Sequence, residues 1–238
     1  STPFDETAVD LLEDLNVPAY KVASFEATDL PLIKYIASTK KPLIMSTGMA
    51  NFEEIEEMVE TARDAGCKDL ILLHCISSYP APIEQSNLLT IPEMRKRLGV
   101  QIGLSDHTVT NTASVAACAL GASIIEKHFI LDRDEKGPDS KFSINPSELI
   151  SLCKEAKDAW LSLGKAGYDR KPAEEANIKF RRSVYFVKDI NAGDVITQEH
   201  IRRIRPGYGL APKFEKQLRG RTVKMNVKRG TATSWEFI

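Results

Sequence analysis

Short apolar runs recur along the first two thirds of the chain, and each breaks off into a polar cluster. Ala19-Tyr20-Lys21-Val22-Ala23 stops at Ser24, Pro42-Leu43-Ile44-Met45 at Ser46, and Leu70-Ile71-Leu72-Leu73 at His74. The runs 100–104 and 122–125 end in the same way at Ser105 and Glu126. Runs of four or five residues bounded by polar positions read as buried strands. Between them the period changes to that of a helix. Asn51 is placed to cap a helix whose apolar face is Ile55, Met58, Val59 and Ala62, with Gly66 at its stop. A second helical stretch covers about 111–120, and Asn145 opens a long one over 146–163. Repeated β-then-α units predict an α/β fold with a parallel sheet, most simply part of a (β/α)8 TIM barrel.

Five strands are legible, and Ser1-Thr2-Pro3-Phe4-Asp5 has the character of a mouth loop after a sixth. A closed barrel therefore expects about three more strands ahead of Ser1, so the barrel reads as N-terminally incomplete. An open doubly wound sheet is the structural alternative. Polar residues at every strand end, instead of at one switch point, favour the barrel.

Past residue 163 the pattern changes. Residues 164–179 are polar, with Gly167, Pro172 and paired glutamates, and read as an extended linker between a 1–163 barrel part and a small β-rich module over 180–238. Residues 189–194 are echoed by 226–231, each placing a glycine in a tight turn. A module of about sixty residues has barely enough core to stand alone, so docking onto another domain is expected.

Composition adds exclusions. The 238 residues are 42% hydrophobic and 27% charged, and 32 cationic against 33 anionic side chains leave a net charge of -1. A field that small recruits neither nucleic acid nor an anionic membrane, so any basic site has to be local. Cys67, Cys75, Cys118 and Cys153 lack metal-type spacing and read as thiols of a reducing, cytoplasmic setting. No apolar run reaches the roughly 20 residues that span a bilayer.

The candidate chemistry sits where strands end. Ser105-Asp106-His107 and Glu126-Lys127-His128 lie one βα unit apart, and imidazoles from adjacent strand ends can share one metal ion. Core histidines are the plainer reading for either one alone; two in equivalent polar tripeptides favour ligands. Lys21 and Ser24, Ser46-Thr47-Gly48, Ser77-Ser78-Tyr79 and Ser105 leave successive strands on one rim. A lysine among hydroxyls, with a glycine that lets backbone N–H groups approach, suits a phosphate or a phosphate-plus-carboxylate ligand. Glu26, Glu126 and Asp139 are acidic groups able to orient a polyol.

Several of these segments together resemble the sialic (nonulosonic) acid synthase family. They are Lys21-Val22-Ala23-Ser24, Ser46-Thr47-Gly48-Met49, Cys75-Ile76-Ser77-Ser78-Tyr79-Pro80, Gly103-Leu104-Ser105-Asp106-His107, Ile125-Glu126-Lys127-His128-Phe129 and Gly137-Pro138-Asp139. The final module is similar to that family's antifreeze-like (SAF) domain. The resemblance implies condensation of phosphoenolpyruvate with an acetamido sugar in a TIM-barrel domain, usually as a domain-swapped homodimer. It assigns His107 and His128 to a divalent metal, Mn²⁺ or Mg²⁺, with Glu126 beside them as catalytic. Thr2, Lys21, Ser24, Ser46, Ser77 and Ser105 fall at phosphoenolpyruvate positions, and Glu26, Tyr79 and Asp139 on the sugar side. Arg205 matches an arginine offered from the SAF domain to the partner subunit, and the family expects a glutamate and a second lysine upstream of Ser1, so residues 1–238 alone are expected to be inactive. Phe25, the Asp139-Ser140-Lys141-Phe142-Ser143 segment and Ile204-Arg205-Pro206-Gly207-Tyr208-Gly209-Leu210 resemble the pseudaminic acid branch more than the N-acetylneuraminate branch. That branch takes a 2,4-diacetamido-2,4,6-trideoxy sugar. A Schiff-base aldolase, for which only Lys21 and Lys127 are positioned, and a sugar-binding module without catalysis are the other function classes.

Overall fold

The computed structural model describes residues 1–134 and 137–238, and the chain divides into two compact units, 1–165 and 166–238.

In the first unit five strands form one parallel sheet: β1 (Tyr20–Val22), β2 (Leu43–Ser46), β3 (Leu70–Cys75), β4 (Gln101–Asp106) and β5 (Ile125–Lys127). Each neighbours the next in chain order, from β1 across to β5. Sequential order without a reversal leaves no switch point, so the doubly wound alternative is excluded and the sheet is the half-barrel of a (β/α)8 design. Helices α1 (Glu6–Asp14), α2 (Leu30–Ser38), α3 (Phe52–Asp64), α4 (Thr90–Leu98), α5 (Thr112–Ala119) and α6 (Pro146–Leu163) follow or separate the strands. Asn51 and Asn145 both open capping boxes, with Glu54 and Glu148 answering them, and Gly66 follows α3 at φ +98°. The apolar face foreseen for α3 is buried against Leu43, Met45, Leu70 and Leu72 in a single core.

Both flanks of the sheet carry strand-like lanes. Lys21 N–H donates to the Ser1 carbonyl at 2.8 Å, so Ser1 occupies the lane beside β1. On the far side Phe129 pairs in parallel with Ile144, and Ile144 N–H donates to the His128 carbonyl at 2.8 Å. Gly103 allows β4 its close fit: a Cβ there would lie 2.5 Å from the Ile124 carbonyl oxygen and 2.7 Å from a Leu73 methyl carbon.

β4 and β5 continue two residues past their apolar runs. Ser105 and Asp106 belong to β4, while β5 consists of Ile125, Glu126 and Lys127. The parallel ladder pairs Ser105 with Glu126 and Asp106 with Lys127, so these polar side chains are rungs and not loop residues.

The second unit has β6 (Ser183–Phe186) antiparallel to β7 (Ile201–Ile204), around a core of Val184, Phe186, Ile190, Ile196, Ile201, Leu218, Val223 and Val227. The two halves of the sequence echo lie side by side: Ile190 and Val227 exchange both backbone hydrogen bonds, and Gly193 and Gly230 take φ +92° and +88°. The polar stretch read as extended linker contains a short helix, α7 (Pro172–Glu175), because Glu174 turns back to accept from Lys171 N–H at 3.0 Å. A last short helix, α8 (Glu215–Leu218), buries Leu218.

Candidate active site at the strand ends

Side chains alternate along a strand, so the rungs of β4 and β5 alternate as pairs. Ser105 and Glu126 share one face, and the serine hydroxyl donates to Glu126 Oε1 at 2.7 Å. Asp106 and Lys127 share the opposite face, at 2.9 Å. The next position on each chain is a histidine, and the rings of His107 and His128 come together edge to face at 5.2 Å between centroids. The spacing of the two tripeptides thus delivers both imidazoles to the face that carries Ser105 and Glu126.

Each histidine is anchored through Nδ1. His107 Nδ1 lies 2.9 Å from the Ile76 carbonyl oxygen, which only accepts, so Nδ1 holds a hydrogen and Nε2 of the neutral ring carries the lone pair. His128 Nδ1 lies 3.2 Å from Asp139 Oδ2, which selects the same tautomer. A carbonyl or carboxylate behind the imidazole is the usual support of a metal-binding histidine, so the donor set fits a divalent ion held by two Nε2 atoms. Among the described residues no group of three His, Cys, Asp or Glu forms a fuller ligand set. Burial pushes the His107 pKa down, but hydrogen bonding to Cys75 and Ile76 outweighs it and holds the imidazole above its ordinary value. Burial pushes the Cys75 thiol up, and its contacts with His107 and Ser24 bring it out below the ordinary range.

An aromatic wall stands beside the imidazoles. Tyr79 lies 4.2 Å from the His107 ring and 5.7 Å from His128, while Phe142, itself buried, lies 5.0 Å from His128. Partial burial, followed by the negative charge of Cys75, Asp139 and Glu126, raises the Tyr79 phenol.

Toward β1 the rim becomes a cradle of hydroxyls. Lys21 Nζ reaches Glu126 Oε1 at 3.5 Å, and Ser24 Oγ accepts from Gly48 N–H at 3.2 Å. A Cβ on Gly48 would collide with Ser77 Oγ and lie 2.8 Å from Ser24 Oγ. The hydroxyls of Ser46 and Ser77 and one carboxylate oxygen of Glu26 are buried without a hydrogen-bond partner. Buried polar atoms left unpaired cost on the order of 1–3 kcal/mol each, so such a cluster is built for a polar occupant.

The structure therefore brings together Lys21, Ser24, Ser46, Ser77, Tyr79, Ser105, His107, Glu126, His128 and Asp139. Glu26 shares the turn that carries Ser24. Thr2 is half-buried and follows Ser1, which flanks β1. Arg205 belongs to the other unit, exposed after β7, in a loop whose Pro206 carbonyl and Gly209 N–H both bind Ser183 Oγ. Asp106 and Lys127 were visible in the sequence only as neighbours of the histidines. Their opposite charges at matched positions were the signal that they face one another.

Residues 1–168 match the NeuB family and residues 181–238 the SAF domain. The chain is 40% identical to the pseudaminic acid synthase of Helicobacter pylori, over all of this chain and 70% of that protein. The chain belongs to the NeuB family. It is also 38% identical to the N,N'-diacetyllegionaminic acid synthase of Campylobacter jejuni, over 96% of this chain and 69% of that one. The N-acetylneuraminic acid synthetase of Leptospira borgpetersenii superposes with a TM-score of 0.70 at 33% identity, covering 76% of this chain and 63% of that structure. Three relatives named for three different acidic sugars share the framework, so membership of the NeuB family does not by itself decide the sugar.

Proposed function

We propose that this NeuB-family chain is a metal-dependent nonulosonic acid synthase that joins phosphoenolpyruvate to the open-chain form of a 2,4-diacetamido-2,4,6-trideoxy sugar, giving pseudaminic acid and phosphate. The observation that carries the reading is the pair of Nδ1-anchored imidazoles beside a cluster of unpartnered buried hydroxyls.

Lys21, with Ser24, Ser46, Ser77, Ser105 and Thr2, holds the phosphate and carboxylate of phosphoenolpyruvate, and Gly48 leaves room for them. His107 and His128 hold Mn²⁺ or Mg²⁺, which when bound supplies Lewis acidity toward the sugar aldehyde. Glu126, fixed by Ser105 and Lys21, presents an oriented carboxylate next to the reacting carbons. Tyr79, Glu26 and Asp139 position the sugar, and Phe142 gives an apolar wall suited to a C6 methyl. The homodimer and the contribution of Arg205 to a partner's site belong to the same reading, as does a cytoplasmic setting. Among the described residues no helix is long and apolar enough to cross a membrane.

A Schiff-base mechanism fits the lysines poorly. Lys127 has its three donor positions directed at Asp106 Oδ2, Thr108 O and Thr110 O, and Lys21 is paired with Glu126.

The test, in the full-length protein, is release of inorganic phosphate from phosphoenolpyruvate with each acetamido sugar, with Mn²⁺ and with chelator. The diacetamido trideoxy sugar should exceed N-acetylmannosamine in kcat/KM by at least about tenfold, or roughly 1.4 kcal/mol of transition-state binding. His107→Ala and His128→Ala should each abolish turnover in a folded protein. Equal or reversed preference moves the chain to the N-acetylneuraminate or legionaminate branch. Phosphate release that survives chelation overturns the metal reading.

A further inference from the structure

Asp106 and Lys127 form the last rung of the sheet before the two histidines, on the face turned away from them. Their side chains are 1% and 3% exposed. Lys127 Nζ lies 2.9 Å from Asp106 Oδ2, 2.6 Å from the Thr108 carbonyl and 3.2 Å from the Thr110 carbonyl. Asp106 also accepts from Thr108 N–H at 2.8 Å and from the Ser114 hydroxyl in α5. The network therefore joins both strand tips, the loop that leaves His107 and the first turn of α5. It is fully satisfied and almost closed to water.

Stability alone explains such a pair poorly. Withdrawing two charges from water commonly offsets their attraction, and apolar replacements of equal volume are often no less stable. What a saturated buried network does supply is one defined geometry. Here that geometry sits one residue before each imidazole. The hydrogen bonds at Nδ1 orient the rings, but only backbone restraint fixes the separation of the two Cα atoms, and hence of the two Nε2 atoms. The far side of His128 is already held by Ile144 N–H at its carbonyl. The Asp106–Lys127 bridge holds the near side and ties it to His107.

Building on the two-histidine reading above, we infer that Asp106 and Lys127 are positioning residues that set the distance between the His107 and His128 donors, and so the affinity of the site for its divalent ion. Neither side chain touches substrate or metal. Loss of supporting contacts of this kind typically weakens metal binding about 10- to 100-fold.

The experiment is direct Mn²⁺ titration of the full chain, followed by magnetic resonance, in wild type, Asp106→Asn, Lys127→Met and the double variant Asp106→Asn/Lys127→Met, with thermal melting on each. Each single change strands a buried charge or its donors and should lower the melting temperature. The double change removes both charges and should recover most of that loss. If the bridge positions the histidines, the double variant stays at least about tenfold weaker for Mn²⁺ although its fold is restored. A double variant that melts like wild type and binds Mn²⁺ like wild type overturns the inference, because the bridge is then only packing. Should the double variant not fold, Ser114→Ala loosens Asp106 without stranding a charge and should still weaken Mn²⁺ severalfold; unchanged affinity there counts against the inference equally. The His107→Ala variant separates the two levels. If it binds Mn²⁺ as tightly as wild type, the two-histidine site itself is wrong, and the positioning role falls with it.

Discussion

Residues 1–165 carry 16 cationic and 25 anionic side chains, whereas residues 166–238 carry 16 and 8, so a chain of net charge -1 is built from units of -9 and +8. The units differ as much in what they bury. The larger one hides Ser24, Ser46, Thr47, His74, Ser105, Asp106, His107 and Thr108 near its strand ends; the smaller one hides only Ser183 and Thr233 among its polar side chains. Those two are consumed in holding its own backbone, Ser183 at Pro206 and Gly209 and Thr233 at Val184. In the larger unit the Ser46 and Ser77 hydroxyls and one Glu26 oxygen stay buried without a partner at the strand ends, whereas the buried polar side chains of the smaller unit are all met. A near-zero total charge concealed this division, and the basic excess is local at the scale of a whole unit.

The comparison can be broken most forcefully at the smaller core. Phe186→Ala should remove about 3–5 kcal/mol from a unit with few other large buried side chains, enough to unfold it, while the parallel sheet persists. Limited proteolysis should then cut within 166–238 and leave a resistant fragment of the rest. If one cooperative transition removes both units together, they are not separable in stability, and the contrast in burial has to be read across the whole chain.

On the other side of the comparison, Gly48→Ala should leave melting close to wild type, because the clash is with two hydroxyls that can rotate. It should raise KM for phosphoenolpyruvate about ten- to a hundredfold, the worth of one or two hydrogen bonds to a charged group. Unchanged KM would mean that the hydroxyl cradle is not where the anion sits.

The smallest effect concerns pH. Burial lowers the His74 pKa below its usual value, against a partial upward pull from the Ser86 carbonyl 2.7 Å from its Nε2. A histidine kept neutral by the fold contributes stability that is complete above the unfolded pKa of about 6.5 and is lost as pH falls through the folded value. His107 is shifted the other way and contributes below that pH, so the measurement has to be a difference. Between pH 6.5 and 5 the stability of wild type should fall relative to His74→Gln by up to about 1.4 kcal/mol per pH unit, in the melting of the larger unit only. Equal pH profiles for the two proteins would show that His74 charges freely in the fold.

How much of this was legible beforehand follows from the range of the interactions. Strand positions and the caps at Asn51 and Asn145 depend on neighbours a few residues away, and the sequence displayed them. The ends of β4 and β5 are hidden in the sequence because Ser105 and Asp106 look like loop residues until their partners, Glu126 and Lys127, are placed beside them 21 positions later. The helix at Pro172 escaped because it has no apolar face to betray it; its support is a single side chain folding back on its own cap. The rim residues were found because each follows a strand. That Ser46 and Ser77 lack partners is a property of the assembled site, and no local pattern carries it.

The rung-by-rung alternation of β4 and β5 sets a rule for how this segment tolerates change in length. A substitution at Ser105 or Glu126 alters one contact. Inserting a single residue within either strand ahead of the histidine would exchange the faces of everything after it, turning an imidazole toward the helices and the buried aspartate or lysine toward the face of Ser105 and Glu126. Two inserted residues would restore the face but carry the ring about 6.6 Å along the strand. Gene libraries that sample insertions and deletions across 101–107 and 125–128 should therefore show almost no functional survivors, even where single replacements are accepted. The parity of the spacing is as much a part of the site as the residues are.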